Sequence, residues 1–290
     1  MPDTPEYLTT KEVAELLRLK ERKVYDLAAE EKIPCTRATG KLLFAKQAIE
    51  NWLLENSSGL VSQTTAVMPL IAGSHDPLLE WSIRESRCGI ATLFDGSLDG
   101  LQKMQHQQAA VCALHLYAPR EQSWNTSQIA GQFAGKPVVL VKWVLRNRGL
   151  VFRPGLAVPE FTRIKALSIA ARQAGAGSQL LLAHLLEEAG IDISDIDFPV
   201  TTHSENDAVL AVAEGAADCT LGLQYLARQH QLDFLPLVEE PLDLLIERRF
   251  WFEPSMQQFI AFCHSPVFQK RISDLHGYVA DELFQVRLNA

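Results

Sequence analysis

The chain has 290 residues, 47% hydrophobic and 21% charged, enough to bury a sizeable core in one large domain or two smaller ones. A formal charge of −8 excludes a protein that coats nucleic acid over its whole surface, because such binding rests on Lys and Arg against phosphate. The cysteines (Cys35, Cys88, Cys112, Cys219, Cys263) form no C-x-x-C pair, and no apolar run nears the roughly 18 to 20 residues that span a bilayer. No metal site, no membrane span and no export signal is expected, and the chain reads as cytoplasmic.

Taken in chain order, Thr9 or Thr10 can cap a helix that carries Val13, Ala14, Leu16 and Leu17 at helical spacing, with Glu12 and Glu15 in or near its first turns. After the turn RLK, the segment ERKVYDLAAEEK places Val24, Leu27 and Ala28 on one face and Arg22 and Lys23 elsewhere. Pro34 stops helicity, and IPCTRATGKLLF reads as two short strands around a turn at Gly40. FAKQAIENWLLEN follows as an amphipathic helix with Ile49, Trp52 and Leu53. Helix, turn, helix, hairpin, helix is a winged helix-turn-helix plan over residues 1–56. The Ser-, Thr- and Gly-rich stretch that follows gives a linker at 57–67.

The run TTKEVAELLRLKERKVYDLAAEEKIPCTRATGKLLFAKQAIENWL resembles the excisionase-like, MerR-like DNA-binding domain. The resemblance implies that the second helix enters the major groove of double-stranded DNA, with Arg22, Lys23 and Tyr25 near the duplex and Arg37 and Lys41 on the wing near phosphates. Two positions where that family often carries a basic residue hold Asp26 and Leu43 here. Residues 1–57 contain nine Lys plus Arg and ten Asp plus Glu, so a homodimer or higher homo-oligomer reading two half-sites is expected.

From Met68 onward strand-like and helix-like segments alternate, which predicts an α/β fold with parallel strands and a ligand site beyond the strand ends. Hydroxyls and glycines stand at the helix starts: Ser74-His75-Asp76, Asp95-Gly96-Ser97, Gly175-Ala176-Gly177-Ser178, and Thr202, Ser204, Asn206 and Asp207. Free N–H groups and the positive end of the dipole favour an anion at such places, although the same residue types are ordinary helix caps.

Residues 68–290 also resemble the type II periplasmic-binding-protein-like domain related to molybdate-binding proteins, over AGSHDPLLEWS, GSLDGLQKM, HLYAPREQSWN, GKPVVLVKWVLRNRGLVF, RQAGAGSQLLLAHLL and VAEGAADCTLGLQYLARQHQLDFLPLVEEPLDLLI. The expected fold class is therefore α/β: an N-terminal winged helix-turn-helix plus a two-lobed type II periplasmic-binding-protein-like domain, with lobe two near 150–232. The resemblance implies Ser74, Ser97 and Ser178, with the amides around Gly175 and Gly177, as cleft contacts. Arg172, His75, His203, Asn206 and Asp207 are further candidates from the residues themselves. Transport-type molybdate-binding proteins commonly place a tyrosine after the strand matching CTLGL; here Tyr225 falls one or two places late.

There is no G-x-S-x-G elbow, no P-loop lysine after GAGSQL and no full G-x-G-x-x-G pattern, so no catalytic residue is named. The reading is a DNA-binding transcription regulator that senses a small anionic ligand, with molybdate or tungstate as effector and no bound cofactor. The alternatives are a sensor of a small organic acid and an enzyme or cofactor-handling protein of molybdenum cofactor metabolism.

Overall fold

The computed structural model describes residues 7–30, 32–37, 40–55, 68–158 and 160–290, and the expected linker 57–67 lies outside them. The chain divides into two compact units, Met1–Ala66 and Val67–Ala290. Among the described residues no helix is long and apolar enough to cross a membrane.

The first unit comprises β1 (Tyr7–Thr9), α1 (Thr10–Leu17), α2 (Glu21–Ala29), β2 (Leu43–Ala45) and α3 (Lys46–Glu55). Thr9 caps α1 reciprocally: its hydroxyl accepts the Glu12 N–H, and the Glu12 carboxylate accepts the Thr9 N–H at 2.7 Å. Arg18, at φ 52°, ends that helix in the left-handed region. Val13, Ala14, Val24, Ala28, Ile33, Phe44 and Ile49 form its core. Among the described residues the expected hairpin shows one bridge, Thr36 to Leu43, and β2 pairs with β1. Pro34 has no N–H to continue that ladder, and β1 lies along the opposite edge of β2.

The second unit opens with β3 (Leu70–Gly73), α4 (Pro77–Ser86), β4 (Ala91–Leu93), α5 (Ser97–Gln105), β5 (Val111–Leu114), the small hairpin β6 (Tyr117–Ala118) and β7 (Ser123–Trp124), and α6 (Thr126–Gln132). The 15-residue strand β8 (Val138–Phe152) leads to β9 (Ser168–Arg172), α7 (Gly177–Glu188), β10 (Asp197–Thr202), α8 (Glu205–Ala213), β11 (Cys219–Leu223) and α9 (Gln224–Gln229). The return strand β12 (Asp233–Glu247) is followed by α10 (Pro254–Cys263), α11 (Pro266–Asp274), β13 (Tyr278–Val279) and β14 (Val286–Asn289).

The strands run in the order β10-β9-β11-β8-β12-β5-β3-β4. β3 is parallel to β4 and β5, and β9 to β10 and β11, as the alternation predicts. The expectation of parallel strands needs correction at β8 and β12, which are antiparallel to each other and to their flanking strands. The chain passes from lobe one to lobe two along β8 and comes back along β12, and an outgoing and a returning strand must meet in opposite directions. Each lobe has its own apolar core: Ala72, Leu101, Leu114, Phe133 and Leu140 in one, Leu150, Ile169, Leu181, Leu182 and Leu221 in the other. Trp143, stacked on Phe259 at 5.3 Å, anchors a third cluster with Met256, Phe268 and Phe284.

Two glycines bring the lobe-one helix starts together. A Cβ on Gly73 would stand 2.2 Å from the Ala113 carbonyl oxygen, and one on Gly100 2.5 Å from the Gly73 Cα. With no side chains there, α5 lies directly on the end of β3.

Candidate functional site

The close approach of α5 to β3 sets the Ser74 and Ser97 hydroxyls 2.5 Å apart, both buried, and the His115 N–H donates to the Ser97 Oγ at 3.4 Å. Lobe two delivers its own helix start to the same place. The Leu98 N–H donates to the Gly175 carbonyl at 3.3 Å, a Cβ on Gly96 would lie 2.8 Å from that oxygen, and one on Gly177 would lie 2.3 Å from the His115 carbonyl oxygen. The first turns of α5 and α7 therefore adjoin across the lobes, and the positive ends of their helix dipoles meet there. Ser178, in the first turn of α7, is 1% exposed and its hydroxyl has no hydrogen-bond partner.

His75 also joins the lobes. Its Nδ1 accepts the Glu205 N–H at the start of α8, 3.3 Å away, and its Nε2 lies 3.2 Å from the Glu80 carboxylate. Arg172 is paired within the protein: Nη1 is 3.0 Å from Glu205 as an ion pair, and Nη2 donates to the His203 carbonyl at 3.1 Å, while neither Nε nor Nη1 makes a hydrogen bond. Glu205 receives both Nη atoms of Arg148 at 2.9 and 3.1 Å. Arg148 Nε donates to Glu240 at 2.7 Å, Arg146 donates to the other Glu240 oxygen, and Arg146 reaches Asp76 at 2.9 Å. Tyr278 donates its hydroxyl to Asp76, and His115 Nδ1 lies 2.8 Å from Glu240. A buried chain of alternating charge thus runs from Asp76 in lobe one, through β8 and β12, to Arg172 in lobe two.

Burial works against charge on Glu205, but Arg148 and Arg172 outweigh it and hold the carboxyl down at about 2. Glu240, between Arg146 and Arg148, is held well below the usual carboxylate range despite its burial. Burial keeps the His115 imidazole below its usual 6.5, against the pull of Glu240. In the unfolded chain His115 takes up a proton near 6.5 while the folded protein does not, so stability present above that value is lost as pH falls through it. The depressed carboxyls add a further loss below their unfolded value of 4.5. Urea midpoints are expected to fall from about pH 7 to about pH 5, and the fall over that interval should be smaller in His115→Gln. An identical slope in the variant would assign the effect to other groups.

Asn206 and Asp207 are exposed on the first turn of α8, and the Asp207 N–H is taken by the Ser204 hydroxyl at 3.0 Å as a helix cap. No hydrogen bond among the described residues joins either of them to Ser74, Ser97 or Ser178. Glu205 is the buried residue of that turn, and sequence reasoning passed over it, as it did Arg146, Arg148, Glu240 and His115. One signal was available: Arg146 and Arg148 stand two apart in a strand-like run, which puts both on one face. His203 is exposed, and Tyr225 packs edge-on against Tyr278 at 6.2 Å. On the first unit, Arg22, Lys23 and Tyr25 are exposed on α2, and Arg37 and Lys41 are exposed near Gly40, which turns at φ 76°.

A profile of the PBP superfamily domain matches residues 80–264, and one of a helix-turn-helix domain matches residues 7–57. The chain belongs to the PBP superfamily and carries a helix-turn-helix domain ahead of the PBP domain. It is 26% identical over 308 residues to the uncharacterized protein YvgK of Bacillus subtilis (strain 168), covering 96% of each. It is similar in structure to an ABC-transporter substrate-binding protein of Clostridium perfringens with bound phosphate, at 12% identity and a TM-score of 0.53, over 72% of this chain and 97% of that one. The regulatory domain of CcmR from Synechocystis PCC6803, in complex with 2-PG, aligns at 10% identity and a TM-score of 0.49, over 67% and 93%. At that identity the Clostridium perfringens protein shares its fold with this chain.

Proposed function

We propose that the protein is a cytoplasmic, ligand-responsive transcription regulator that binds double-stranded DNA as a homodimer and senses a small anion, molybdate or a related oxyanion, between the lobes of its PBP domain. The observation that carries the ligand half is the Ser178 hydroxyl, buried without a partner where α5 and α7 begin side by side. An unsatisfied buried donor costs about 1 to 3 kcal/mol, and an acceptor ligand at that point removes the cost. Ser74 and Ser97 add hydroxyls, and the two helix starts supply amides, so a tetrahedral oxyanion is bound without a bare cation. A ligand held by both lobes favours the closed form, and a hinge motion of this kind alters the spacing of two attached DNA-binding domains. The DNA half rests on the helix-turn-helix match and on the exposed Arg22, Lys23 and Tyr25 of α2.

The test is a thermal-shift panel of molybdate, tungstate, sulfate, phosphate and small carboxylates, paired with DNA retention at fixed salt. Phosphate belongs in the panel because the Clostridium perfringens protein holds it in the same fold. A true ligand at a hundredfold excess over its Kd is expected to stabilise by about 2.7 kcal/mol. Retention should weaken in Arg22→Ala and Lys23→Ala, each lowering the salt slope by about 1. Carboxylates alone giving a shift would make the ligand an organic acid. Retention of a molybdopterin-type ligand without DNA binding would mark a cofactor-handling protein instead.

A further inference from the structure

The charges around the proposed cleft cancel within the chain. Arg146, Arg148 and Arg172 face Asp76, Glu205 and Glu240, three against three, and the most exposed of the six, Arg172, is 5% accessible. Arg146 touches two carboxylates, and so does Arg148; Arg172 is ion-paired with Glu205 alone, with the neutral His203 carbonyl as its other contact and Asp207 as a more distant negative charge. The backbones of Arg172 and Glu205 are tied to the segments that carry the proposed ligand site. The Arg172 N–H donates to the Gln179 side chain at 2.9 Å, on the turn of α7 that carries Ser178, and the N–H of Glu205 meets His75, the neighbour of Ser74.

Resting on the reading of that cleft as an oxyanion site, we infer that Glu205 is a specificity-determining residue: it neutralises Arg172 and shares Arg148, so the cleft selects a tetrahedral anion by shape and hydrogen-bond donors rather than by charge. Without Glu205 a buried guanidinium lacks its counter-charge, and a dianion gains over a monoanion of the same shape. The Glu205 carboxyl stays ionised at ordinary pH because Arg148 and Arg172 hold it down against its burial. The ligand class that follows is a tetrahedral oxyanion, with one or two charges accepted on similar footing.

Tungstate and perrhenate are tetrahedral oxyanions of closely similar size with two charges and one, and calorimetric titration of the full chain with each gives a ratio of Kd values. In Glu205→Gln the ratio is expected to move toward tungstate by about tenfold or more, and in Arg172→Gln to move the other way. The double variant R172Q/E205Q, neutral again, should return to the wild-type ratio. If Glu205→Gln fails to fold, the Arg172→Gln shift and the return in the double variant decide the matter. Binding of both anions with an unchanged ratio in the single variants overturns the role of Glu205 and leaves the cleft intact. If the wild-type chain binds neither anion, the oxyanion reading of the cleft falls, and this inference with it.

Discussion

Replacing Glu240 by Ala is expected to destabilise the second unit by about 3 to 5 kcal/mol, a large effect for a single side chain. Glu240 takes hydrogen bonds from Arg146, from Arg148 Nε at 2.7 Å and from His115 Nδ1 at 2.8 Å. Its loss leaves both guanidinium groups inside the protein with less negative than positive charge around them. Removing one partner of a buried ion pair costs far more than the intact pair contributes, because the remaining charge keeps its desolvation penalty. For a unit of this size each kcal/mol lowers Tm by roughly 2 to 4 °C, so a drop of at least about 6 °C is expected by calorimetry. Glu240→Gln keeps volume and acceptor oxygen and should fall between wild type and Ala. A Tm for Glu240→Ala within about 2 °C of wild type would show that the cluster is not held by this carboxylate.

Ser178→Leu is expected to abolish the ligand response while DNA retention persists. Ser178 is 1% exposed, and its neighbour Gly177 is pressed against His115 so closely that even a Cβ would meet the His115 carbonyl oxygen at 2.3 Å. A leucine there has no hydroxyl to offer the anion and must push α7 away from α5. The stabilisation of about 2.7 kcal/mol at a hundredfold ligand excess should vanish in a thermal-shift assay. The helix-turn-helix domain forms a separate compact unit with its own core around Val13, Val24 and Phe44, so its grip on DNA does not depend on that contact. Loss of both activities together would assign Ser178 to folding.

The helix-turn-helix domain was legible in the sequence because its signals are local. Thr9 and Glu12 lie three apart and cap one helix, and Val24 and Ala28 lie four apart on one face. Likewise Ser74, Ser97 and Ser178 could be placed at helix starts because each follows a strand within a few residues. Arg172 was a candidate ligand contact, but its pairing with Glu205 spans a separation in sequence that no local rule addresses. The wing was harder to read, since the partner of β2 is the distant N-terminal strand β1.

The sequence by itself determined two units, their helix starts and the hydroxyls that stand on them, since periodicity and capping act within one or two turns of the chain. The tertiary structure decided that α5 and α7 adjoin, that β8 and β12 run antiparallel, and that Arg146 sits opposite Glu240 in their register. That register sets which buried charges meet. Each of those six charges is tolerable in the interior only beside its opposite, so the balance of the cluster is a property of the packed lobes, and no one segment of the chain contains it.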